Sequence, residues 1–109
     1  MNIVFVALAA VTLATAGDAF AALDRPAADA LMKKNGCAAC HGVDKKIIGP
    51  SYVDVAAKYG SEKDATPKLS KKVKDGSVGV WGPIPMPPNA NIPDADIKEL
   101  VTWIMTLKK

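Results

Sequence analysis

Between Val80 and Asn89 the chain reads Val80-Trp81-Gly82-Pro83-Ile84-Pro85-Met86-Pro87-Pro88-Asn89, with four prolines in six residues. Proline lacks the N–H that helices and sheets both use, and its ring locks φ, so neither element can run through this stretch. The segment is a stiff, extended loop. Any fold must be built from elements on either side of this rigid arm, with Met86 presented at its middle.

Those elements read as helices, with no strand pattern among them. The first runs from about Pro26 to Asn35: Pro26 suits the opening position, Ala27, Ala30 and Leu31 share a face, and Gly36 stops it. The second starts at Ser51, where Ser51 and Asp54 resemble a capping box. Tyr52, Val55, Ala56 and Tyr59 then follow helical spacing as far as Gly60. A third is expected with Thr66 as its cap and Pro67 at its first position. It carries Leu69 and Val73 on one side, with lysines in the last turn before Gly76. The fourth spans about Pro93 to Leu107, acidic at its start and followed by Lys108 and Lys109. Its stripe of Ile97, Leu100, Val101, Ile104 and Met105, widened by Trp103 and Leu107, needs two neighbours. The first helix and a bound apolar body are expected to supply them.

The need for such a body follows from size. Of the 109 residues, 1–21 read as a leader in which 16 of 21 are apolar. The run Ile3–Ala16 has the length of a signal-peptide core, shorter than the ~20 residues of a membrane span. Ala19-Phe20-Ala21 supplies a small-x-small cleavage pattern, so processing after Ala21 is expected, although no Lys or Arg precedes the apolar run. An uncleaved anchor is the alternative. Either route exports the folded part, a soluble chain in the periplasm if cleavage occurs. Residues 22–109 then form one domain of 88 residues whose aromatics are Tyr52, Tyr59, Trp81 and Trp103. A core that thin needs a staple. This domain has 14 basic and 10 acidic residues. Lys63, Lys68, Lys71, Lys72 and Lys74 cluster without interleaved aromatics, which speaks for a solvated helix face or an acidic protein partner and against nucleic acid.

The staple is indicated by Cys37-Ala38-Ala39-Cys40-His41, a C-x-x-C-H run directly after the first helix. This spacing reads as covalent attachment of a c-type haem: two thiols one turn apart meet two vinyl groups, and the adjacent histidine reaches the iron. A thioredoxin-type pair would want a βαβ context, and a structural zinc site would want a second ligand pair. A disulfide closing so small a loop would stabilise little. His41 is the sole histidine, so the other face of the iron takes methionine, lysine, water or nothing. Met32 and Met105 fall on helices as core gap-fillers. Met86, held by Pro85, Pro87 and Pro88, is the expected distal ligand.

The C-x-x-C-H run, Ile48-Gly49-Pro50 and the Trp81–Asn89 loop together resemble the class I c-type cytochromes, specifically the small bacterial cytochrome c-551 group. The resemblance extends from about residue 26 to Lys108. It implies an all-α, compact fold of four to five helices wrapped around one haem c, with the first and last helices crossing. It further implies thioethers from Cys37 and Cys40, proximal His41 and distal Met86. The Pro50 carbonyl would accept from the far nitrogen of His41, as metal-ligating histidines require. Trp81 would donate to a haem propionate, unless it is a packed core residue. Asn89 would bond the Met86 sulfur or brace the loop. The chain departs from common relatives in placing Pro93 where a Ser cap is usual, and Lys72 where some have an Arg facing the propionates.

The expected function is a monomeric, soluble one-electron carrier of respiratory or denitrification complexes, not an enzyme. Redox proteins would dock at the haem edge, with no small-molecule substrate, and membrane contact would arise only through a retained leader. A haem sensor or peroxidase-like protein with an open distal site, or a tethered electron-entry subunit of a larger oxidoreductase, are the alternatives.

Overall fold

The last helix organises the molecule. In the computed structural model, which describes Ala10 and residues 23–107, helix α1 is Arg25–Lys34, α2 is Tyr52–Tyr59, α3 is Ala65–Asp75 and α4 is Asp94–Met105. A short 3-10 turn, Cys37–Ala39, follows α1. Among the described residues there is no named strand, only two isolated bridges, His41 with Lys46 and Ser77 with Met86. The expected cleavage after Ala21, and Lys108 and Lys109, lie outside the described residues. No helix among them is long and apolar enough to cross a membrane.

Ile97, Leu100, Val101, Trp103 and Ile104 of α4 are buried, and the helix packs against α1, α2 and α3. The expectation of a single helical neighbour was therefore too narrow, because the apolar arc of α4 is wide enough for three. Two core clusters result. In one, Ala28 and Met32 of α1 meet Tyr52, Leu100, Trp103 and Ile104, which joins the first and last helices. In the other, Tyr59, Ala65, Leu69 and Ile92 meet Ile97 and Val101. Met32 is buried and Met105 packs at the edge of the second cluster, both as fillers.

The helix ends follow local chemistry with two shifts. Asp24 caps α1, its carboxylate accepting from Ala27 N–H at 2.9 Å, and Gly36 leaves the helix at φ 74°. Ser51 Oγ accepts from Asp54 N–H at 3.1 Å to cap α2. Helix α3 starts at Ala65 behind Asp64, not at Pro67 behind Thr66. Its first intrahelical need is the Lys68 N–H, which reaches Asp64 O at 3.1 Å, and Pro67 falls among first-turn positions that need no donor. Helix α4 closes at Met105, because the N–H groups of Thr106 and Leu107 turn back to Trp103 O and Ile104 O at 2.9 and 3.0 Å.

Candidate haem site

A cleft of about 280 Å³ runs between the 3-10 turn, α2, α3, α4 and the proline arm. That is on the order of twenty times the space one water occupies. Its walls are the apolar faces of both clusters: Tyr52, Leu100 and Ile104 from one, Tyr59, Leu69, Ile92, Ile97 and Val101 from the other. Cys37, Cys40, His41, Gly49, Pro50, Lys72, Trp81, Met86 and Asn89 line it as well. The structure thus brings every residue expected at the site to one cavity.

The C-x-x-C-H segment is held by its own backbone. Cys40 N–H and His41 N–H both reach Cys37 O, at 3.1 and 3.0 Å, setting the two thiols about a turn apart. Cys40 O then accepts from Ile48 at 3.2 Å and Gly49 at 2.8 Å, closing the intervening loop. Tyr52 N–H to Gly42 O and Val53 N–H to Val43 O, at 3.0 and 2.9 Å, fasten the start of α2 to the strip after His41. Both thiols are free, and burial pushes the Cys37 thiol up. Disulfide exchange wants the opposite, a depressed thiol. Tyr52, beside Cys37, is likewise shifted upward, chiefly by burial.

His41 is fixed on three sides. Its Nδ1 lies 2.8 Å from Pro50 O. A carbonyl can only accept, so Nδ1 carries the proton and Nε2 is the nitrogen left with a lone pair. The Tyr52 ring stacks on the imidazole with centroids 5.2 Å apart and planes 17° apart. Gly49 supplies the third wall: a Cβ there would sit 2.6 Å from His41 Cε1. Two cysteines, a half-buried imidazole with one free nitrogen and a wide apolar cavity are the donor set and shape that a covalently held haem requires.

The proline arm is tied to the end of α3. Met86 N–H donates to Ser77 O at 2.8 Å, and Ser77 N–H donates to Met86 O at 3.1 Å. Both amide hydrogens of Asn89 go to main-chain carbonyls, Val73 O at 3.0 Å and Pro87 O at 3.2 Å, so its side chain is a loop brace with no donor to spare. Gly76, at φ 82°, lets the arm pass: a Cβ there would lie 2.8 Å from Met86 O and 3.0 Å from Pro88 N. Trp81 is 42% exposed at the cavity rim with Lys58 Nζ 5.5 Å from its ring centroid, so the packed tryptophan of this core is Trp103. Sequence reasoning missed the steric parts of Gly49 and Gly76, the Tyr52 stack and the Ser77 pairing. In the sequence Gly49 is visible only as part of the Ile48-Gly49-Pro50 run, and Gly76 only as a stop signal.

An all-helical wrap around a cavity bearing C-x-x-C-H defines a class I c-type cytochrome. Comparison with known proteins agrees: the cytochrome c family model matches residues 27–108, and the chain belongs to that family. It is 58% identical over 78 residues to cytochrome c-552 of Nitrosomonas europaea, covering 72% of this chain and 76% of that protein. It is 54% identical to cytochrome c-551 of Pseudomonas denitrificans, covering 72% and 94% respectively. The crystal structure of the wild-type Nitrosomonas europaea cytochrome c552 superposes with a TM-score of 0.71 at 56% identity, over 73% of this chain and 99% of that one. The class 1 cytochrome MtoD of Sideroxydans lithotrophicus gives 0.66 at 37% identity, over 81% and 100%. The chain is an electron-carrier cytochrome with one covalently bound haem c at Cys37 and Cys40, and it is not an enzyme.

Proposed function

We propose that this cytochrome is a soluble, periplasmic one-electron shuttle whose iron is held by His41 and Met86. It would move electrons between larger respiratory or denitrification complexes, with residues 1–21 removed as a signal peptide. The observation that carries the reading is that His41, with one nitrogen tied to Pro50 O, and Met86, on its braced arm, line the same cavity as both cysteines.

When bound, the haem iron supplies the one-electron chemistry. The chain's part is to hold, tune and wrap it. Pro50 O fixes the His41 tautomer and strengthens its free nitrogen as a donor. Met86 offers a neutral thioether from an arm already fixed by Ser77 and Asn89, so little ordering is needed to keep it in place. Neutral sulfur and apolar walls favour the ferrous state, raising the potential. Lys72 and the Trp81 indole, both on the cavity wall, are the groups suited to a propionate. Partners would dock where Trp81 and the flanking lysines open the cavity to solvent, through small redox contacts below ~1,200 Å².

The deciding experiment is the optical spectrum and intact mass of the protein exported to a bacterial periplasm. Expected are the mass of residues 22–109 plus one haem, a low-spin spectrum, and a ferric near-red band from sulfur on iron that Met86→Ala abolishes. A high-spin protein that binds carbon monoxide readily would overturn the Met86 assignment in favour of an open-site sensor or peroxidase. Retention of the leader would replace the soluble shuttle by an anchored one.

A further inference from the structure

The arm that carries Met86 has a second fastening, beyond its own prolines and Asn89. Lys74, in the last turn of α3, reaches across to the segment returning from the arm. Its ammonium donates to Ile92 O at 2.8 Å and lies 3.0 Å from Asp94 Oδ1, while its own carbonyl accepts from Asn89 N–H at 3.1 Å. The side chain is 33% exposed, whereas that of Asp94 is 89% exposed. An ion pair to so exposed a carboxylate contributes little. The bond from a cation to a half-buried carbonyl is the stronger of the two. Residues 86–94 are thus fastened to Ser77, just beyond the end of α3, and to Val73 and Lys74 within it.

We infer that Lys74 is a positioning residue for the distal ligand, a latch that closes the loop behind Met86 and keeps its sulfur from swinging away. The inference rests on the reading that Met86 ligates the iron. Proline stiffness fixes the shape of the arm, but not its angle to the body. That angle is set by what ties the arm's far end, and Lys74 grips residues on both sides of Pro93. With the grip lost, the Ser77 and Asn89 bonds must hold the arm alone, and Met86 spends more time off the iron.

The test compares the ferric holoprotein with its Lys74→Gln, Lys74→Arg and Lys68→Gln variants, using free imidazole as the probe. Imidazole enters only when methionine leaves, so its binding rate reads the departures. The rate is expected to rise roughly 3- to 10-fold in Lys74→Gln, as for one ordinary hydrogen bond lost at a half-exposed site. Lys74→Arg should return close to the wild-type rate. Lys68→Gln, an equal charge change that removes the Lys68–Glu62 pair and the cation over the Tyr59 ring at the other end of α3, but no tie to the arm, should leave it unchanged. Amide exchange at Met86 in the same proteins should quicken in step. Unchanged imidazole rates and Met86 exchange in Lys74→Gln would overturn the latch, as would an equal rise in Lys68→Gln. A wild-type ferric protein lacking the sulfur–iron band would overturn the Met86 reading itself. Should Lys74→Gln fail to fold, Lys74→Met, which keeps the apolar stem and loses only the ammonium, decides instead: a faster rate supports the latch and an unchanged one overturns it.

Discussion

At the residue scale, the site divides into groups announced by spacing and groups that matter only by contact. Cys37, Cys40 and His41 are adjacent in sequence, so their joint chemistry is legible from five letters. Met86, the proposed distal ligand, stands out in the sequence because four prolines surround it on a stiff arm. Gly49 is different: its glycine is required by an imidazole eight positions earlier, and only the folded chain reveals a 2.6 Å approach to His41 Cε1. Gly49→Ala is expected to push the ring off its bond to Pro50 O. The holoprotein should lose about 1–3 kcal/mol, the usual result of crowding a packed site. Denaturant unfolding followed at the haem absorbance would measure it. An unchanged midpoint would mean that the ring moves aside freely.

At the scale of elements, helix existence and most of the buried faces were readable, whereas ends were decided by carbonyl partners. Thr66 and Pro67 look like a start, yet a proline is tolerated throughout the first turn, so it does not fix which position is first. Burial of Ala65 in the second cluster supplies the missing choice. The apolar stripe carries on to Leu107, but the backbone tightens at Thr106 while Leu107 still packs on the first cluster. The 3-10 turn at Cys37–Ala39 was not expected, because three residues carry no periodicity to read. Ser51 is buried and its hydroxyl satisfies Asp54 N–H, so Ser51→Ala should cost about 1 kcal/mol. Urea unfolding should show a lower midpoint at an unaltered slope.

For the molecule as a whole, two quantities govern behaviour: a shared core and a surplus of positive charge. With 14 basic against 10 acidic residues in 22–109, rates of electron exchange with an acidic partner should fall as salt is added. Stopped-flow rates that ignore ionic strength would remove the lysines from docking. The two core clusters both face the same cleft, so a haem seated there would be their common neighbour rather than an ornament on a finished fold. A Cys37→Ser, Cys40→Ser double variant, unable to anchor it, is expected to lose the sharp thermal transition and the near-ultraviolet circular dichroism of Trp103. Calorimetry and dichroism would check this, and a cooperative transition without haem would refute it. On that expectation the arrangement would also act as an inspection step: chains that miss their pigment would stay loose enough for proteases to cut, and the copies that survive would be those already fit to carry charge.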